Sequence, residues 1–514
     1  MANFKLNQRI IDPQNNARGT IKYIGAVENT KGSWLGIDWD NPERGKHDGS
    51  HQGRNYFVTH SETSGSFVRE AKISKGRTFQ EAVEDRYGST PDADPDMIEQ
   101  IRKDINAPFL QLVGFEKVNA AQSNFAELST ISVRDKGVFG YAEPLDQFCP
   151  LVQVLDVAEN LLTSWNTVAE MIQNLARLKN LNVSMNKLEI VDGDHEELLK
   201  KAFWNLKTLF MGEMDYDWNQ VSSILKYFGH LQVLHLYDNQ ITSINAPFVL
   251  NTLVELNLTG NPLQDWNTVQ QFGGCPKLQI LVLNRCHLTK IQIEKDQTGF
   301  QSLKHLQING NKLDNWASII CLNYLPCLTD LKYKDNPITE SDSYSNVRQI
   351  VIASIAKLKI ANGTEIEKVE RFGAEVDYLK KYGLEYLQSV KDNNCDSFYA
   401  KYPRYEEFVQ RFGAPEEHEL RVKDTSLKAN LLKVKIVCPD HPEAKEITKS
   451  LPPAMVVSKL RGLLTRLIKP ARGKSLVLSY ASAKNLEFEV PFDNDMRDLF
   501  FYNVENGDTI FVRF

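Results

Sequence analysis

A lysine enclosed by glycines and flanked by aromatic residues is the clearest chemical feature of this chain. Trp34-Leu-Gly-Ile-Asp-Trp-Asp-Asn-Pro-Glu-Arg-Gly-Lys-His-Asp-Gly-Ser50 runs on to Asn55-Tyr-Phe57 and Gly65-Ser-Phe-Val-Arg69. Glycine admits positive φ and close backbone approach. Ring faces supply flat apolar walls, and an ammonium makes charge-assisted bonds to carboxylates. Together these types build a groove for a peptide whose end is acidic and aromatic. Covalent chemistry has no comparable signal. Gly473-Lys-Ser475 lacks the glycine five residues before its Gly-Lys pair that a phosphate loop requires, and neither a Gly-x-Ser-x-Gly elbow nor a metal-spaced His/Glu motif occurs. The expectation is a binding protein, not an enzyme, with no catalytic residue, metal or cofactor.

The elements that position such a groove belong to a chain of 514 residues, too long for one hydrophobic core and expected to divide into three or four domains. With 42% apolar and 25% charged residues it reads as a folded, soluble protein without wholesale disorder. Seven scattered cysteines without a Cys-x-x-Cys pair indicate reduced thiols and a cytosolic setting. The N-terminus lacks a secretory pattern, and no apolar run approaches the roughly 20 residues that span a bilayer. A net charge of −6 argues against nucleic acid as a partner. Residues 1–75 nevertheless carry 11 Lys/Arg against 8 Asp/Glu, a mildly basic head suited to an acidic partner.

Residues 128–340 repeat. The pattern Leu-x-x-Leu-x-Leu-x-x-Asn recurs at Val152/Leu155/Val157/Asn160, Leu178/Leu181/Val183/Asn186, Leu231/Leu234/Leu236/Asn239, Leu253/Leu256/Leu258/Asn261 and Leu303/Leu306/Ile308/Asn311. Variant copies end at Met214, Cys286 and Asn336, and a weaker Leu128/Ile131/Val133 opens the series. Copies start 22–28 residues apart, the spacing of leucine-rich repeats, which predicts an α/β solenoid of short strands whose apolar residues point inward. Trp165, Trp218, Trp266 and Trp316 each precede an apolar residue three places on and are expected as helix-start wedges in the core. On the concave face, Phe210, His235 and Tyr237 are larger than a solvated strand needs. With Arg285, Lys304 and neighbouring Lys207, Asn284, His305 and Lys332 they form a candidate partner surface.

Asp85-Arg-Tyr-Gly-Ser-Thr-Pro-Asp-Ala-Asp-Pro-Asp96 reads as a hinge, and Ser345 to Leu358 and Glu365 to Leu387 as helices sealing the end of the solenoid. Beyond residue 429 the strand and helix patterns follow the order β-β-α-β-β-β.

Three resemblances follow from these residues. The N-terminal stretch resembles a CAP-Gly domain, whose signature Gly-Lys-Asn-Asp-Gly reads Gly45-Lys46-His47-Asp48-Gly49 here. The C-terminal order, with Val504-Glu-Asn-Gly-Asp508 before its last strand, resembles a ubiquitin-like β-grasp domain, expected to act by non-covalent contact because no di-glycine tail follows. The whole arrangement, with Trp39-Asp-Asn-Pro-Glu-Arg-Gly-Lys-His-Asp-Gly-Ser50, Arg411-Phe-Gly-Ala-Pro-Glu416 and Tyr502-Asn-Val-Glu-Asn-Gly-Asp508, is similar to the tubulin-folding cofactor E family. The implied domains are CAP-Gly at 1–76, a linker with helical segments at 77–127, leucine-rich repeats at 128–340, a helical cap and linker at 341–428 and the ubiquitin-like domain at 429–514.

The resemblance implies a cytoplasmic, cytoskeleton-associated monomer that binds α-tubulin. It is expected to work with tubulin cofactors B, C and D in assembling and dissociating the αβ heterodimer, with neither membrane nor nucleic acid as partner. It also implies tail-binding roles: Trp34 and Phe57 as groove walls, Lys46 as the carboxylate partner, His47 and Ser50 as donors, Phe67 and Arg69 as the closing rim. Read from the residues alone, Trp34 and Phe57 fit the core of a small barrel as well, and Lys46 a solvated loop. A ubiquitin/proteasome adaptor and a microtubule-associated CAP-Gly linker are the alternative functions.

Overall fold

The computed structural model describes residues 4–88, 124–189, 195–244, 248–296, 298–340, 342–416, 420, 431–440, 446–468, 476–483, 485–502 and 504–513. The chain forms two compact units, Met1–Ala414 and Pro415–Phe514.

The first unit opens with a four-stranded antiparallel sheet in the order Arg9–Ile11, Arg18–Ala26, Ser33–Trp39, Gly65–Val68. Its core is small: Ile10, Ile21, Leu35, Ile37, Trp39, Val68 and Ile73. A core of this size is marginal by itself, and the chain continues directly into a larger one. Arg77–Thr78 pairs in parallel with Val138–Gly140, and the helix Phe79–Tyr87 starts on a reciprocal capping box between Thr78 and Glu81. Phe79, Ala82 and Val83, one helical stripe, are fully buried in the core of the repeats. Residues 77–88, within the stretch expected as a linker with helical segments, include a helix that also covers the first repeat coil, because an open stack would leave Ile131 and Val138 exposed. The expected hinge falls almost wholly outside the described residues.

Behind this cover, three-residue strands stack into an eleven-stranded sheet, parallel except for its last member. Register is uniform: Leu155, Leu181, Leu209, Leu234, Leu256, Leu281, Leu306 and Leu331 align across neighbours and point inward. The opening strand, Thr130–Ser132, is the weak copy. The sheet runs past residue 340 through Ile360–Ala361 and ends in antiparallel Thr364–Glu365, inside the segment expected to be helical cap. That reversal closes the growing edge.

Most coils are tied to the preceding one by a buried asparagine amide, the coil ending at Met214 being an exception. Asn186 Nδ2 donates to the carbonyls of Val157 and Val183, both at 3.0 Å, while its Oδ1 accepts from the N–H groups of Asn160 and Leu162. Asn239, Asn261, Asn311 and Asn336 repeat the scheme. Cys286 substitutes in part, its thiol lying 3.2 Å from the Leu258 carbonyl. Trp165, Trp218 and Trp266 are core wedges at 1%, 7% and 2% exposure, whereas Trp316 is only half-buried.

Helices Tyr344–Ser354, Lys368–Lys381, Gly383–Lys391, Cys395–Lys401 and Tyr405–Phe412 follow and build a second core around Ile352, Tyr378, Phe398, Tyr405 and Phe408. Glu375, almost fully buried, is neutralised there by Arg404 at 3.1 Å and Arg411 at 2.7 Å.

The second unit is a five-stranded sheet in the order Ile447–Leu451, Leu432–Val437, Thr509–Arg513, Val477–Ser482, Asn485–Pro491, with the helix Val457–Ile468 packed through Val457, Leu460 and Leu464. The first and last strands in sequence run parallel at its centre, the β-grasp arrangement. Among the described residues no helix is long and apolar enough to cross a membrane.

Asn239→Leu would strand the carbonyls of Met211 and Leu236 and the N–H groups of Met214 and Tyr216. At about 1–3 kcal/mol per unsatisfied buried group, urea unfolding followed by tryptophan fluorescence should show a loss of at least about 3 kcal/mol.

Candidate peptide-binding site

The glycine-rich loop wraps a cavity of about 400 Å³ on the N-terminal sheet. Gly49 is required where it stands: φ is +90°, and a Cβ would come within 1.9 Å of the Phe57 carbonyl oxygen. Gly45 faces the same constraint from the Thr63 carbonyl at 2.0 Å. This close packing lets Lys46 N–H donate to the Gly65 carbonyl at 2.7 Å, laying the loop against the strand that carries Phe67 and is followed by Arg69.

Of the seven residues expected at the site, five line the cavity: Trp34, Lys46, His47, Phe67 and Arg69. Phe57 does not. It is 5% exposed and packs beneath Phe67, edge to face at 5.5 Å, in space left by the missing side chain of Gly36. Ser50 is also outside, its hydroxyl and N–H both donating to Asp48.

Phe67 is the centre of the site. Tyr23, Tyr56, His47 and His51 surround it at ring distances of 6.2, 5.4, 5.0 and 6.2 Å. Sequence reasoning missed Tyr23, Tyr56 and His51. A bulge between Ile21 and Tyr23 breaks the alternation that would have assigned Tyr23 to a face, whereas Tyr56 was legible as the neighbour of Phe57.

Arg69 lines the cavity, where the closing rim was expected, and it also braces the neighbouring loop. Its guanidinium stacks 3.6 Å over the Trp34 ring and donates to the carbonyls of Ser33 at 2.8 Å and Lys31 at 2.5 Å. Trp34 in turn donates its indole N–H to Thr30 at 2.8 Å. Arg69 thus holds the 31–34 loop and its tryptophan in place. Arg44 is likewise paired, with Asp12. Among the described residues the Lys46 ammonium has no partner, whereas Lys72 acts on Asp12 and helps hold its carboxyl below the ordinary value, so the cavity joins aromatic rings to one uncompensated cation.

His47 Nδ1 accepts the Gly49 N–H at 3.0 Å, which places the ring proton on Nε2. Burial pushes its pKa below the usual histidine value despite the opposing charge of Asp48. The free site therefore presents a neutral imidazole with one donor.

The sheet carrying this cavity is fastened to the repeats. Arg18 pairs with Asp135 and, at 3.2 Å, with Glu159. Lys187 reaches Asp40 at 3.6 Å. Burial alone would raise the pKa of Asp40, but Arg9, Lys187 and Arg18 outweigh it and hold the carboxyl below its ordinary value.

On the repeats, Phe210 and His235 occupy the same register on adjacent strands and stack at 4.4 Å with 14° between their planes. His235 Nε2 lies 3.5 Å from Glu255, yet burial keeps its pKa low. The Tyr237 ring covers Gly212, where a Cβ would sit 2.2 Å from it. These three are brought together. Arg285, 3.8 Å from Asp238, and Lys304, 3.1 Å from Gln279, lie on later coils, apart from the stack.

Comparison with known proteins agrees with the N-terminal part of this description. The CAP-Gly domain family matches residues 6–73. Tubulin-specific chaperone E of Xenopus laevis is 35% identical over 509 residues, covering 96% of each chain, and that of Homo sapiens is 35% identical over 515 residues, covering 97% of each. This chain belongs to the tubulin-specific chaperone E family. A solved structure, the C-terminal ubiquitin-like domain of mouse tubulin-specific chaperone e, is 42% identical, covers 18% of this chain and 93% of its own, and has a TM-score of 0.16.

Within this family member, a ligand carboxylate at His47 Nε2–H would raise the depressed histidine pKa, so binding takes up a proton. With an acetylated Glu-Glu-Tyr peptide as probe, affinity should be flat from pH 8 to 7 and rise as the pH falls through the complex's pKa, levelling below that of the free site. His47→Asn should flatten the profile, as measured by calorimetric titration from pH 8 to 5.5.

Proposed function

We propose that this chain is a tubulin-folding chaperone that grips the acidic C-terminal tail of α-tubulin in the Phe67 cavity and holds the body of tubulin on the repeats. The observation that carries the tail assignment is the unpartnered ammonium of Lys46 on the rim of a cavity floored by aromatic rings. An acidic, aromatic-ended tail satisfies both halves: the ammonium takes a carboxylate and the rings take the terminal side chain. Near full-length identity to relatives named for tubulin supports the same assignment.

In this reading the coils from residue 130 to 365 are a leucine-rich-repeat solenoid, and the stack of Phe210 and His235 with neighbouring Tyr237 is where tubulin's body rests. Because the cavity is ion-paired to the first coils through Arg18, capture of the tail raises the local concentration of the body beside them, and contacts too weak to act alone become effective. Holding the released α-subunit more tightly than the heterodimer then draws dissociation forward by mass action. Cofactors B, C and D are the partners of this cytoplasmic cycle. The β-grasp unit, with Met496 and Phe500 exposed, is the part available for a proteasome contact.

The test is subunit release from αβ-tubulin at limiting chaperone. Lys46→Glu should slow release at least fivefold, equivalent to about 1 kcal/mol for a partly exposed charged contact. Trimming the α-tubulin tail should do the same, and the two changes together should be no worse than either. An unchanged rate in Lys46→Glu removes the clamp.

A further inference from the structure

The helices that follow the repeats leave an open groove of about 1220 Å³ against the last coils. Its walls carry five aromatic side chains, Trp316, Tyr324, Tyr382, Tyr399 and Tyr402. Trp316 breaks the series to which it belongs. The tryptophans at its register in earlier coils are core, two of them with bonded indole N–H groups, Trp165 to Tyr216 and Trp266 to Gln270. Trp316 is half-buried, turned into the groove, and its indole N–H has no partner among the described residues. A fold that buries this residue type elsewhere has here left a large ring face and a donor open.

The charges on the rim point to the occupant. Asp314, Asp396 and Glu406 have no cationic partner among the described residues, whereas Lys401, at 2.7 Å from Glu385, is already neutralised. That leaves Lys295 as the unpaired cation of the lining against three unpaired carboxylates. One rim already shows the chemistry on offer: the Lys401 ammonium lies 5.0 Å over the Tyr402 ring. Phosphate or carboxylate ligands would meet repulsion, and a purely apolar segment would leave the carboxylates unanswered.

We propose that this groove docks an arginine-bearing segment of a partner protein, its guanidinium seated among the rings and paired with the rim carboxylates, and its apolar neighbours filling the remaining walls. Arginine suits the site better than lysine, because a planar, weakly hydrated guanidinium stacks on aromatic faces and still donates in its plane. This site is separate from the tail cavity and does not depend on tubulin being the ligand there.

The test selects binders from a random 12-residue peptide library with the full-length chain and measures the best of them by fluorescence anisotropy. The expected binders share an arginine between apolar residues. Replacing that arginine by neutral citrulline should weaken binding at least tenfold, as should Asp396→Lys combined with Glu406→Lys, both in exposed first turns of their helices. Glu62→Lys, on the N-terminal domain, should change nothing, and Trp316→Phe should retain more affinity than Trp316→Ala. Failure to recover any binder, binders without arginine, indifference to citrulline or to the paired charge reversal, or self-association of the chain through this face would each overturn the proposal.

Discussion

The buried asparagine amide that closes most of the coils is the interaction on which the rest of the first unit depends. A strand of three residues cannot hold itself, and every turn out of such a strand leaves backbone groups that water cannot reach. One primary amide, with two donors and an acceptor that takes two bonds, answers groups in its own coil and in the one before. This makes each coil a precondition for its neighbour, so the array needs a cover at each end. The covers are what the functional surfaces are built on: the helix at 79–87 ties the N-terminal sheet to the first coil, and the helices after 344 wall the groove beside the last.

The periodic parts of this architecture were legible in the sequence because they are repeated. Leucine spacing located the inward residue of nearly every strand, and the asparagines located the turns. Departures from the period were harder to read. Helix 79–87 has only three buried apolar residues, too few turns to stand out from a linker until its partners Ile131 and Val138 are known. The strand at Ile360–Ala361 carries no leucine signature, so the repeats looked complete twenty residues too soon.

The cavity was legible in its outline and not in its division of labour. Glycines, a lysine and rings in one short stretch announced a groove, but which ring lies on its floor and which beneath it depends on Gly36, whose missing Cβ admits Phe57. Sequence treated Arg69 as a contact for the ligand. Its stacking over Trp34 makes it a support for the loop as well, a role that rests on the path of the backbone carbonyls of Lys31 and Ser33. Trp316 illustrates the same limit: the residues that leave its ring uncovered come from helices some 80 positions later in the chain.

Parallel pairing of Arg77–Thr78 with Val138–Gly140, reinforced by Arg18, has a consequence for reach. A receptor domain on a slack tether searches for its cargo by its own swinging. If the proposed clamp operates, a cavity fastened in this way does not swing freely and the slack lies in the cargo: a flexible peptide of ten residues spans roughly 16–19 Å root-mean-square. The distance from cavity to docking surface would then act as a ruler, selecting ligands by how many loose residues separate their last side chain from their folded body.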